Sequence, residues 1–283
     1  MTAPAVTEVV KRAHVSVIIP CYRCADTIER AVASVMAQTL PPEEIILIDD
    51  FSNDAQETVS ALNRLRQRHQ EICIKVILLS ENNGPGSARN AGWSASSQPY
   101  LAFLDADDSW HPRKLEIQYK WMEDHPEVLL SGHLSNVLEQ GSALPELPTR
   151  VIAHQINKHK LLIKNCLPTR SVMLKREVPF KFVPGKRYAE DYMLWLTILL
   201  NGHQASLLEM PLAYSYKAEF GGGGLTGNLW KSEQGVIDTY QRLFNLGLIS
   251  LVTLYLVSAF SLMKYWRRCF IVKLRLLYNS LSN

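Results

Sequence analysis

The sequence predicts an α/β protein with a Rossmann-like fold, a mostly parallel central sheet and additional C-terminal helices. Three features carry this expectation. Short apolar runs rich in β-branched residues recur through the first 104 positions, segments of helical period separate them, and a polar, often acidic stretch follows each run directly.

Residues 15–19 are β-branched apart from Ser16 and stop at Pro20, the pattern of a strand buried on both faces. Asp26 with Glu29 three positions on forms a capping-box spacing ahead of Ile28, Val32, Val35 and Met36, so a helix is expected until Pro41-Pro42. The alternation then repeats, with strands at 45–48, 74–79 and 100–104 and helices at 55–69, 87–95 and 112–124. Elements in this order build βαβ units around a parallel sheet covered on both sides. After a further apolar run at 128–131 the pattern fades, and 132–168 reads as loop with some helix. A helical run at 192–200 closes at Asn201-Gly202, and the glycines at 221–224 form a flexible connector. They lack the Lys and Ser/Thr of a phosphate loop.

A chain of 283 residues with 47% apolar and 20% charged composition can bury a full core, which excludes a disordered protein. The net charge of +3 is unevenly distributed. Residues 239–283 hold six basic residues (Arg242, Lys264, Arg267, Arg268, Lys273 and Arg275) and no acid, leaving 24 basic against 27 acidic residues before them. A local basic excess points to an anionic membrane surface rather than to nucleic acid. Five scattered cysteines and an N-terminus without an apolar leader fit a reducing cytoplasm. Three regions are expected: a tail at 1–14, a globular domain at 15–235 and a basic helical segment at 236–283. Within the last, 246–263 carries no charge and is followed by Lys264-Tyr265-Trp266-Arg267-Arg268. Its length suits a helix in the membrane plane, a short span, or a helix packed on the domain.

Open parallel sheets bind ligands at the carboxyl ends of their strands. Those ends read Pro20-Cys21-Tyr22, Asp49-Asp50-Phe51-Ser52-Asn53-Asp54, Ser80-Glu81-Asn82-Asn83-Gly84 and Asp105-Ala106-Asp107-Asp108. Taken alone, an Asp-x-Asp is a solvated turn more often than a site. Two neighbouring acidic edges, however, repel each other and are costly to gather unless a cation or a donor-rich ligand is present, and a metal is the economical explanation. Carboxylates without nearby His or thiolate select a hard ion, Mg²⁺ or Mn²⁺, with Asp105 and Asp107 as its ligands.

In order along the chain, Val-Ser-Val-Ile-Ile-Pro-Cys-Tyr, Ile-Asp-Asp-Phe-Ser-Asn-Asp, Asn-Asn-Gly-Pro-Gly-Ser-Ala-Arg-Asn-Ala-Gly and Leu-Asp-Ala-Asp-Asp resemble the inverting family 2 glycosyltransferases of GT-A fold, of the bacterial surface-glycan type. Ala189-Glu190-Asp191-Tyr192 is similar to that family's later Glu-Asp motif. The resemblance implies that Pro20 and Tyr22 line the nucleotide base pocket. Asp50 would accept from base or ribose with Asp49 as helper, and Asn83 would stand at the same edge. Arg89 would face the nucleotide or pair with a carboxylate. Asp105 would lie near the ribose or sugar and Asp107 would hold the metal. Asp191, with Glu190 beside it, would be the general base, and the glycine run a flap over the acceptor site. Phe51 departs from the pattern, where the family commonly has Gly.

The expected activity is metal-dependent transfer from a nucleotide-sugar donor, favouring a UDP-sugar, to a hydroxyl of a glycan or lipid-linked acceptor at the inner face of the bacterial membrane. Transfer to a polyprenyl phosphate and a catalytically silent nucleotide-sugar-binding scaffold are the alternatives. Cys21-x-x-Cys24 matches a redox spacing, but nothing around it resembles a redox protein.

Overall fold

The structure is a computed structural model that describes residues 11–139, 141–217 and 228–281, with side chains to residue 273. The glycine run at 221–224 lies outside the described residues. The first half alternates as expected: β1 (Ala13–Cys21), α1 (Ile28–Met36), β2 (Pro42–Asp49), α2 (Glu57–Arg68), β3 (Cys73–Leu78), α3 (Pro85–Ala95) and β4 (Tyr100–Phe103). These strands lie in the order β3-β2-β1-β4 and all pair in parallel. Alternate residues of β1 serve opposite faces. Val15, Val17 and Ile19 join Ile28, Val32 and Leu62 in one core cluster, while Ile18 joins Trp93, Phe103 and Trp195 in the other. Gly92 allows α3 to lie close on the sheet, since a Cβ there would come within 2.7 Å of Ile18 and 2.8 Å of Ile48.

The second half is mixed. It runs β5 (Ser109–Trp110), α4 (Lys114–Asp124), β6 (Val128–Val137), β7 (Ala153–Gln155), α5 (Lys158–Ile163), β8 (Met173–Lys175), α6 (Glu190–Leu200) and β9 (Gln204–Ser215). β8 pairs antiparallel with β4 and β6, β9 runs parallel to β6, and β5 and β7 pair antiparallel with β9. Strand therefore extends into 132–168, where loop and helix were expected; the outer part of β6 and most of β7 are exposed, so no apolar run marks them. The capping box is also corrected. Helix α1 begins after Thr27, and no side chain caps it.

Helix α7 (Leu229–Asn245) runs through the expected boundary at 235/236 and sends Tyr240 and Leu243 into the second core cluster. Helix α8 (Leu251–Leu281) follows and packs along α7 and against α5. Among the described residues, no helix is long and apolar enough to cross a membrane.

Candidate active site

The loop after β4 is joined to the N-terminus of α6 through Arg89 of α3, beside the carboxyl ends of β1 and β2. Asp49 ends β2, Asp50 follows it, and both are buried. Asp50 accepts from the backbone N–H groups of Asn83 (3.0 Å) and Gly84 (2.9 Å), one on each carboxylate oxygen. Burial raises its pKa and these two donors pull it back. The carboxylate thus fixes the turn into α3, where Gly84 has φ +84°. Asp49 Oδ2 accepts from the Ser52 N–H (3.2 Å), while its Oδ1 is buried without a partner. Between strand and helix, Phe51 has φ +56°. At the position where the resemblance leads one to expect Gly, a bulky residue therefore holds a left-handed conformation, at a backbone cost of about 1–2 kcal/mol.

Tyr22 is half exposed beside this edge, and its hydroxyl donates to Asn53 Oδ1 (3.2 Å), which also accepts from Arg23 Nε (2.5 Å). Pro20 is partly buried in β1. Asn83 contributes its backbone N–H; Asn82 donates to the Asp50 carbonyl (2.8 Å) and is itself held by Arg187. Cys21 and Cys24 are free and buried, and burial holds the Cys21 thiol well above the usual range, which makes it a poor nucleophile.

After β4, each acid of the Asp105-Ala106-Asp107-Asp108 loop is paired with a cation. Arg89 Nη2 lies 2.7 Å from Asp105, Lys217 Nζ 2.6 Å from Asp107 and Arg170 Nη1 3.1 Å from Asp108. Repulsion among these acids is therefore relieved within the protein, and clustering alone does not require a metal. Among the described residues, no group of three or more His, Cys, Asp or Glu side chains forms a metal cage. Asp105 and Asp107, both partly exposed, suit a cation that takes its remaining ligands from phosphate oxygens and water. Asp108 is buried against Arg170, which leaves it the least accessible of the three to a cation, and burial pushes its pKa up to about 7 against the pull of Arg170.

Arg89 is only 3% exposed and spans the site: Nη2 holds Asp105 while Nη1 holds Glu190 at 2.8 Å. Burial opposes its charge, but the two carboxylates more than offset this and keep its pKa above the ordinary value. Arg89 is thus held between two carboxylates. Glu190 is likewise engaged; burial raises it to about 7, with Arg89 acting in the opposite sense.

Asp191 accepts from Thr169 Oγ1 (2.9 Å) and from the Tyr192 N–H (2.6 Å). Burial raises its pKa, Arg89 opposes the rise, and the charge of Asp105 adds to it. Ala189, immediately before α6, has φ +54°, a strained conformation that sets the direction from which both acids enter. Thr169, Arg170, Arg187 and Lys217 escaped the sequence reading. Thr169 and Arg170 lie in a single 3-10 turn, Arg187 lies in a loop and Lys217 just past the end of β9, where single polar residues carry no periodic signal.

The family model described as glycosyl transferase family 2 matches residues 16–174. The putative teichuronic acid biosynthesis glycosyltransferase TuaG of Bacillus subtilis is 30% identical over 234 residues, 81% of this chain and 88% of that protein. The UDP-Glc:alpha-D-GlcNAc-diphosphoundecaprenol beta-1,3-glucosyltransferase WfaP of Escherichia coli is 33% identical over 201 residues, 68% of this chain and 72% of its own. Some relatives are much longer, and the chain spans about 30% of them. Among solved structures, S. aureus TarS 1–349 with UDP-GlcNAc aligns with a TM-score of 0.66 at 19% identity, over 88% of this chain and 71% of that one. The mannosyltransferase PcManGT of Pyrobaculum calidifontis, with GDP-Man and Mn²⁺, aligns with a TM-score of 0.65 at 18% identity, over 96% and 80%. The fold is that of a GT-A glycosyltransferase. The chain belongs to glycosyl transferase family 2.

Proposed function

We propose that the protein transfers a sugar, with inversion, from a UDP-sugar to a hydroxyl of a lipid-linked glycan in bacterial surface polysaccharide synthesis, working at the inner face of the cell membrane. The observation that carries this reading is the Arg89 bridge. It joins Asp105, at the edge where an open sheet binds nucleotide, to Glu190, whose neighbour Asp191 has a raised pKa. The named activity of WfaP supports the donor and the acceptor class.

In this reading Tyr22 and the backbone at Pro20 border the base, while Asp50 and Asn83 shape the turn beside it and Asp49 supports the edge. Asp105 and Asp107 would hold Mg²⁺ or Mn²⁺, an ion also named with PcManGT. When bound, the cation supplies positive charge against the departing nucleoside diphosphate. Asp191 takes the proton of the acceptor hydroxyl as that oxygen bonds to the anomeric carbon. The bond from that carbon to the diphosphate oxygen breaks, and its electron pair leaves with the nucleotide. Thr169 and the Tyr192 N–H hold the Asp191 carboxylate in one orientation, and Glu190 positions α6 through Arg89.

The test is nucleotide release from a panel of UDP-, GDP- and dTDP-sugars with a diphosphopolyprenol-linked sugar as acceptor. UDP release that depends on the acceptor is the expected result. Donor binding without release from any sugar would leave only a binding protein.

A further inference from the structure

We infer that the outer face of α8 is a membrane-docking surface that lies in the plane of an anionic bilayer, with its inner face fixed to the catalytic domain. The inference rests on the proposed lipid-linked acceptor only for its purpose, and its test reads binding rather than transfer, so the two can fail separately.

The inner face is tied down. Leu254 and Ser261 are buried, Tyr265 packs edge-on against Trp230 at 5.4 Å, and Arg268 Nη2 lies 2.5 Å from Oε2 of the fully buried Glu233. The Lys264 ammonium donates to the Ile163 carbonyl. Spanning a bilayer would break the Arg268 to Glu233 pair and leave a carboxylate buried without its cation.

The outer face carries Val252, Tyr255, Leu256, Met263, Trp266 and Phe270, each of them mostly exposed. At 100° per residue they fall within about 100° of arc, and the stripe runs for about 27 Å along the helix. Such a continuous apolar face is unusual on a soluble surface and marks an interaction site.

Charge selects the occupant. Arg267 and Lys273 are exposed on the flanks of the stripe, and the segment from 239 onward contains no acid. A second copy of the chain would offer this face no acidic side chain of α8 to meet the two cations, whereas anionic headgroups offer many. An apolar stripe with an indole and flanking basic residues is the composition of an in-plane interfacial helix.

The test uses the full chain sedimented with vesicles of phosphatidylcholine containing phosphatidylglycerol, and with phosphatidylcholine alone. Binding to the anionic vesicles is expected. Leu256→Glu with Trp266→Glu should lower it at least tenfold, and Arg267→Gln with Lys273→Gln should lower it about fivefold per charge at low salt but little at high salt. Binding of UDP, measured by calorimetry, stays unchanged in these variants and shows that they fold. Failure of the unaltered chain to sediment, or unchanged binding by the Leu256→Glu/Trp266→Glu protein, overturns the inference. A dimer that the same pair of substitutions dissociates, with no lipid binding, assigns the stripe to a second copy instead.

Discussion

The ammonium of Lys217 lies 2.6 Å from Asp107 Oδ2, on the carboxylate proposed to hold the metal. A divalent ion and Lys217 would compete for that oxygen. Both side chains are partly exposed, so the competition is modest. Lys217→Gln should tighten Mn²⁺ binding to the donor-free protein by up to about fivefold, read by electron paramagnetic resonance. Asp107→Ala should weaken that binding and lower turnover by about 100-fold or more. Full turnover in excess chelator would remove the metal from the proposal.

Asp191→Asn should keep donor affinity and lose about 10²–10⁴ in kcat, because the amide cannot take the proton. Since burial raises its pKa, the acid limb of the kcat profile should stand above the usual carboxylate range, and activity should rise with pH through that limb. Glu190→Gln should act differently, lowering stability by about 3 kcal/mol as Arg89 loses one partner. A near-normal kcat for Asp191→Asn alongside an inactive Glu190→Gln would exchange the two roles.

Phe51→Gly should raise thermal stability. The residue has φ +56° and its ring is half exposed, so little packing is lost. Relief of the left-handed strain outweighs the added freedom of Gly in the unfolded chain by about 0.5–1 kcal/mol. A lowered melting temperature would show that the ring has a packing role. A weakened UDP affinity in the same variant would locate that role at the base.

His133 is fully buried on β6, and burial, reinforced by Lys114, lowers its pKa to about 3. A depressed folded-state value means that the stabilisation from keeping this ring neutral is complete above the ordinary pKa of about 6.5. It is lost progressively as the pH falls towards 3. Urea unfolding at stepped pH should show a loss of a few kcal/mol over this window. A His133→Met protein should show a shallower slope.

The parallel half of the fold was legible because β1, β2 and β4 are buried on both faces and therefore spelled as apolar runs. The motifs at their ends followed from that. β7 and β8, three residues each, are too short for a two-residue period to register, and β7 faces solvent. At the site, the acids could be read as clusters, but their cations could not. Lys217, Arg170 and Arg89 reach Asp107, Asp108 and Asp105 across gaps of up to 110 positions, and nothing local announces such pairings. The tail showed its charge in the sequence, whereas the split of α8 into a tied face and a free face depends on Glu233 and Trp230, which belong to α7.

The Arg89 bridge also bears on the order in which the protein assembles. Its bond to Asp105 closes a loop of 16 residues, but its bond to Glu190 closes one of 101. Distant closures of this kind are slow steps of a folding chain, since their entropy is lost before any contact rewards it. A refolding molecule would regain most of its secondary structure while Asp191 is still unaligned with the donor side. The β5–β9 pairing, Ser109 to Tyr214, closes a loop just as long, so the four parallel strands of the donor edge can form before either the outer sheet or the catalytic helix is seated.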